Sequence, residues 1–160
     1  MNTEQIRGMW HYLGMVHGVT AKAVAKIPAA KLDWRPTPET RSFRELVTHL
    51  YAQERISLRG VVAGAMTPED HHREESGAPN TVEGLVEYGK EIHAESTRIV
   101  NTLTDADLQK TIKAYGMEFP AWQLVTGVYD EHWHHRGQLY TYLRLAGVEP
   151  PLLYDYPPMP

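Results

Sequence analysis

Apolar residues recur at helical spacing in four long stretches of this chain, separated by polar or proline-bearing segments. In the first stretch Ile6, Trp10, Leu13, Val16, Ala23 and Val24 share a face, while Glu4, Arg7, Lys22 and Lys26 fall mostly elsewhere. A helix is predicted from Thr3 to about Lys26, ended by Pro28. In the second, Ser42 and Glu45 form a capping box ahead of Phe43, Leu46, Val47, Leu50, Leu58 and Val61, and the helix should run to about Ala65. In the third, Asn80 is placed as the cap, with Glu83 reaching back, and Val82, Leu85, Val86, Ile92, Ile99, Val100 and Leu103 turn inward. Gly84 and Gly89 weaken its first turns. The fourth begins with Pro120 at the first helical position and continues to Ala146, where Gly147 stops it.

The connections differ in character. Between Ala29 and Arg41, Pro36 and Pro38 forbid regular helix, and Leu32 and Trp34 are expected to tuck the loop against the helices. Met66 to Pro79 reads as a polar loop, in which His71 and His72 are solvated. Thr104 to Leu108 can start a short helix, and Thr111 to Phe119 looks extended, with Gly116 offering a turn. This excursion is expected to bridge two parallel-running helices, since antiparallel neighbours need only a short loop. Val148 to Pro160, with five prolines, is expected to lie as an extended strap.

Composition narrows the chemistry. At 160 residues the chain fits one domain, 1–160, and its net charge of -4 gives no broad attraction to nucleic acid or an anionic membrane. No apolar run approaches a membrane span and the N-terminus lacks a signal-peptide layout, so a cytoplasmic protein is expected. Without a cysteine, any metal must be held by imidazole, carboxylate or amide oxygen. Nine histidines then become the notable figure. His11 and His17 lack a partner three or four residues away and are read as partly exposed or simply hydrogen-bonded, and His93 as a surface residue.

The fourth helix concentrates the chemistry in Asp130-Glu131-His132-Trp133-His134-His135-Arg136. At about 100° per residue, His135 falls at the centre of the face defined by Leu124, Val125, Val128, Leu139, Leu143 and Ala146. Glu131 lies one turn earlier on one side, His132 on the other, and His134 points away. Either Glu131 or His132 can share an ion with His135. His49, on the edge of the second helix face beside Leu46 and in line with Gln53, points into a seam and would complete the set. Taken alone, a histidine there is more often a hydrogen-bonded core residue than a ligand, and a buried Glu131–His135 pair is the less favoured alternative to a metal site. A His/His/Glu set suits zinc with an open position, iron(II) or nickel. Arg136 and Arg144 are read as rim or surface residues.

The stretch Arg41-Ser42-Phe43-Arg44-Glu45-Leu46-Val47-Thr48-His49-Leu50, preceded by Trp34-Arg35-Pro36, resembles the DinB-like family. So does His134-His135-Arg136-Gly137-Gln138-Leu139 with Tyr142-Leu143-Arg144 and Gly147. The resemblance implies an all-α four-helix bundle, up-down-down-up, often a homodimer, with a divalent metal (zinc or nickel, sometimes iron). Carried over, the metal residues are His49, Glu131 and His135, Glu131 standing where the family usually has histidine. Implied activities are metal-dependent hydrolysis of a small-molecule substrate, or transfer to a low-molecular-weight thiol. A non-catalytic, metal-stabilised stress-response or binding protein is the alternative.

Overall fold

The computed structural model describes residues 1–157. In chain order its α-helices are α1 (Thr3–Val24), α2 (Phe43–Ala63), α3 (Pro68–Ser76), α4 (Val82–Thr102), α5 (Asp105–Leu108) and α6 (Ala121–Leu145). The frame is the four long ones, α1, α2, α4 and α6. Between α5 and α6, strands β1 (Thr111–Ala114) and β2 (Met117–Pro120) form an antiparallel hairpin. No described helix is long and apolar enough to cross a membrane.

Helix direction follows from which residues share an end of the core. One apolar cluster joins Ala23 and Val24, at the end of α1, to Phe43 and Leu46, Val82 and Leu85, and Leu139 and Leu143. The other joins Ile6 and Trp10 to Leu58 and Val61, Val100, and Ala121 and Val125. So α1 and α6 finish where α2 and α4 begin, which is the up-down-down-up bundle. α1 and α2 each pack on α4 and α6, placing the first two helices on a diagonal. Of the long helices consecutive in the chain, only α2 and α4 run parallel, and the excursion of α5 and the hairpin joins antiparallel α4 and α6. The expectation that this excursion links parallel helices is corrected; the return run belongs to the α2–α4 connection.

That run is not the polar loop expected over Met66 to Pro79, because it contains α3. Thr67 and Asp70 cap it reciprocally and Pro68 occupies its first turn. None of its residues is buried, so no apolar period announced it. It is tied down by charge: Glu74 accepts from Arg55 at 2.8 Å and from the Tyr88 hydroxyl at 3.1 Å. The Ser42–Glu45 box forms as expected. The α4 cap is Thr81, one residue past Asn80, its hydroxyl accepting from the Gly84 amide at 3.0 Å. Pro120 closes β2 and caps α6 rather than entering it.

The tail lies as a strap over the described residues, and Pro158–Pro160 of that expectation fall outside them. Leu153 packs on the core, Lys22 meets Asp155 at 2.6 Å, and Arg136 donates to the Leu153 carbonyl. Arg136, expected at the rim, is fully buried, its guanidinium lying against the Trp133 and Tyr140 rings, while Arg144 is exposed. Gly89 also has a packing reason: a Cβ there would lie 2.4 Å from Cζ of the buried Tyr51 ring.

Across the bundle's middle every long helix contributes to a polar layer: His17 and Thr20 from α1, Glu54 from α2, His93 from α4 and His132 from α6. Glu54 accepts from His17 Nε2 at 2.7 Å and from His93 Nδ1 at 3.1 Å, one bond to each oxygen. His132 Nε2 donates to Thr20 Oγ1 at 2.8 Å, whose hydroxyl donates on to the Val16 carbonyl. His17, Glu54 and His93 lie close enough together to suggest a metal site. Their ring planes argue otherwise. His17 and His93 stack at 4.2 Å with planes 25° apart, and an ion must lie near the plane of each imidazole that binds it. The cluster is a carboxylate bridging two N–H donors. His93, expected on the surface, is half-buried in it, and His17 is buried. Burial pushes the Glu54 carboxyl up, but the hydrogen bonds and charge of His17 and His93 outweigh it and hold the group low. Burial lowers the His17 ring more than Glu54 raises it.

This packing can be tested at two positions. Gly89→Ala gains about 1 kcal/mol of helix propensity but drives a methyl into a fully buried ring, so the urea midpoint should fall. Glu54→Gln turns an amide N–H toward a ring N–H and should cost about 3–5 kcal/mol. Glu54 and His17 are both depressed in the fold, so each adds stability above its ordinary value (4.5 and 6.5) that is lost as the pH falls. Wild-type stability, by denaturant titration, should therefore decline below about pH 6.5, and the Glu54→Gln variant should lose the part of that decline below pH 4.5 that Glu54 contributes.

Candidate metal centre

The rotation of α6 separates its three neighbouring histidines. Val125, Val128, Leu139 and Leu143 seat it in the core. His132 is turned toward α1 by its bond to Thr20, His134 is exposed, and His135 is buried on the side facing α2. His132, the alternative partner of His135, is thus taken up by the core layer. On α2 the inward turn of Glu54 toward α1 and α4 leaves His49 and Gln53 facing α6.

His49, Glu131 and His135 each offer one donor atom, all within 4.8 Å of one another. The His49 and His135 rings meet edge to face, centroids 4.8 Å apart, and His135 Nε2 lies 3.1 Å from Glu131 Oε2. The helical projection puts Glu131 in an apolar seam. Its side chain is instead 50% exposed, at the rim, so little of the cost of burying a carboxylate falls on it. The other ring nitrogen of His135 faces Gln138 Oε1 at 3.0 Å, while Gln138 Nε2 donates to His134 Nε2 at 3.0 Å. With the amide so placed, His135 Nδ1 carries the proton. Its Nε2 lone pair then faces a carboxylate oxygen, an arrangement that a cation between them would satisfy. Burial first, then the charge of Arg41 and the His135 and His71 rings, bring His49 down to about 3. A neutral imidazole is the ligating form.

The three residues open on a cleft of about 630 Å³. Gln53, Ser57, Gln123, Asp130 and His134 supply its polar lining, and Met66, Phe119 and Leu124 its apolar wall. Tyr115 overhangs it from the hairpin tip. The Tyr115-Gly116 turn puts both residues at positive φ, 55° and 74°, a conformation that disfavours tyrosine. The phenol bonds His71 Nε2 of α3 at 3.0 Å, and burial together with the Glu131 charge raises its pKa, so it stays a donor. His71, expected to be solvated, is tied to the hairpin by this bond, and Tyr115 is not marked by the helical periods; the tyrosine-glycine pair at a hairpin turn is the signal that could have marked it.

The DinB family profile matches residues 1–159. The chain belongs to the DinB family. YjoA of Bacillus subtilis is 24% identical over 140 residues, spanning 86% of this chain and 87% of that protein. The crystal structure of that DinB-like protein superposes with a TM-score of 0.70 at 22% identity, covering 89% of this chain and 93% of its own. A DinB-like protein from Bacillus cereus gives 0.76 at 17% identity, over 91% and 95%. YfiT from Bacillus subtilis, described as a probable metal-dependent hydrolase with an unusual four-helix bundle topology, gives 0.71 at 19% identity, over 93% and 91%. At such identities the likeness shows a shared fold.

The environment of His49 makes a direct prediction. In metal-free protein its ring should stay neutral on NMR titration from pH 8 down to about pH 5, because its pKa lies at about 3. Arg41→Ala should move the titration upward, toward 6.5.

Proposed function

We propose that this DinB-family chain is a metal-dependent hydrolase of small molecules, its divalent ion held by His49, Glu131 and His135. The observation that carries the proposal is the convergence of two imidazoles and a half-exposed carboxylate at the mouth of an open cleft. Two neutral nitrogens and one carboxylate oxygen suit zinc, nickel or iron(II). Three ligands on a solvent-facing edge are the catalytic pattern, whereas a purely structural ion is usually enclosed by four. This favours an enzyme over a bundle that metal merely stabilises.

When bound, the ion supplies Lewis acidity, polarising a carbonyl and lowering the pKa of water toward neutrality. The chain supplies the rest. Gln138 fixes the tautomer and aim of His135, and the burial of His49 keeps that ring unprotonated. Tyr115, held protonated above the cleft, can donate to an oxygen on which charge develops. Met66, Phe119 and Leu124 give an apolar substrate portion a surface that excludes water. The description of YfiT, which shares the fold, favours hydrolysis over transfer to a small thiol.

The test joins composition to activity. Untagged wild-type protein should carry about one ion per chain by elemental analysis, His49→Ala and His135→Ala should carry little, and His132→Ala should retain it. A panel of small esters and amides should show a hydrolysis that a chelator abolishes and added metal restores. Glu131→Ala should reduce that hydrolysis by at least about 100-fold. A metal-free wild type would overturn the proposal, and product formed only with an added thiol would replace hydrolase with transferase.

A further inference from the structure

The charge of the cleft is lopsided. Among the described residues its lining contains Asp130 and Glu131 and no lysine or arginine. Glu131 is committed to His135, but Asp130 is exposed and forms no hydrogen bond or ion pair with the described residues. Nearby cations are turned elsewhere. Arg41 meets the far edge of His49 and lines two separate recesses, Arg55 pairs with Glu74 and Glu95, and Arg59 pairs with the same two carboxylates. The lining between the three metal residues and the hairpin is otherwise uncharged: amides and hydroxyls on one side, Met66, Phe119 and Leu124 on the other.

Resting on the function proposed above, we infer that the cleft selects small substrates that carry a positively charged amine beside their metal-seeking group, with Asp130 as the amine's partner. The reasoning is electrostatic. A divalent ion is offset by Glu131 and Asp130 together, and Arg41, behind His49, is offset by Glu75 at 3.6 Å from the same ring, so a metal-bound substrate meets no net positive field to hold a distal carboxylate or phosphate. Such a group would lie near Asp130 and be repelled, whereas an ammonium there is attracted, in a concave site where screening is weaker than on open surface. Asp130 and Glu131 both line the cleft, so the partner for the amine and the metal-holding carboxylate open on the same space. The cleft leaves room for an apolar linker between the two ends. A substrate-derived thiol or acyl group bearing a carboxylate close to its reacting atom is the class this arrangement disfavours.

Three thiols of nearly equal size isolate the charge: cysteamine (cationic), 2-mercaptoethanol (neutral) and 3-mercaptopropionate (anionic). Cobalt-substituted protein is titrated with each, reading the sulfur-to-cobalt charge-transfer absorption, so that binding is measured without any turnover. Cysteamine should bind about tenfold more tightly than 3-mercaptopropionate at low salt, with 2-mercaptoethanol between, and the ratio should shrink as salt rises. In Asp130→Asn, which should keep its cobalt, the ratio should fall to about threefold or less. Equal or tighter binding of 3-mercaptopropionate to cobalt-loaded wild type overturns the charge selectivity and leaves the metal site standing. An unchanged ratio in Asp130→Asn overturns the role of Asp130. Failure of the wild type to take up cobalt overturns the metal site itself, and the selectivity with it.

Discussion

The bridging of Glu54 between His17 and His93 is the constraint on which the arrangement of this bundle depends. A carboxylate in the centre of an apolar bundle is tolerated only if both oxygens are satisfied, and here each oxygen has its own imidazole donor, from α1 and from α4. This fixes the rotation of α2. With Glu54 turned toward α1 and α4, His49 and Gln53 must face α6. The Thr20–His132 bond does the same for α6, turning His132 inward and leaving His135 and Glu131 on the side toward α2. The polar layer thus sets the two helices whose remaining side chains meet at the cleft.

Apolar packing alone would specify this less sharply. The two apolar clusters at the ends of the bundle fix helix direction and neighbour choice, but a rotation of α2 by a few tens of degrees would still bury Leu50 and Leu58. It would also break two buried hydrogen bonds to a charged group, each far more costly to lose than a slight repacking. Gly89 adds a steric condition at the same level, because α4 can approach Tyr51 only where it carries no side chain. Hydrogen-bond geometry and close approach together hold a register that hydrophobicity leaves loose.

The four long helices were legible in the sequence because each carries a sustained 3.6-residue period and, for α2, a capping box. The placement of His49 and His135 on facing seams of α2 and α6 was legible from their wheel positions, and the hairpin from Gly116 and its extended neighbours. What escaped has a common cause. α3 buries nothing, so its residues carry no period, and its anchors are ion pairs to Arg55 from distant sequence. His93 was read against neighbours on its own helix, whereas its partner is Glu54 on another. The burial of Arg136 depends on shielding that only the folded tail and two aromatic rings supply. The exposure of Glu131 likewise depends on how far α2 and α6 splay apart, which a single-helix projection does not contain.

The diagonal placement of α1 and α2 has a consequence in time. Because α2 borders α4 and α6 rather than α1, the first two helices meet only across the core, chiefly where His17 touches Glu54 and Tyr51. The polar layer lacks His93 until α4 is present, and His49 has no facing ring until α6, the last long helix, arrives. A nascent chain therefore exposes His49 and Glu54 on an unsupported helix, and the bundle closes late, as a unit, once α6 can dock. The cleft comes into being at the same moment as the finished core.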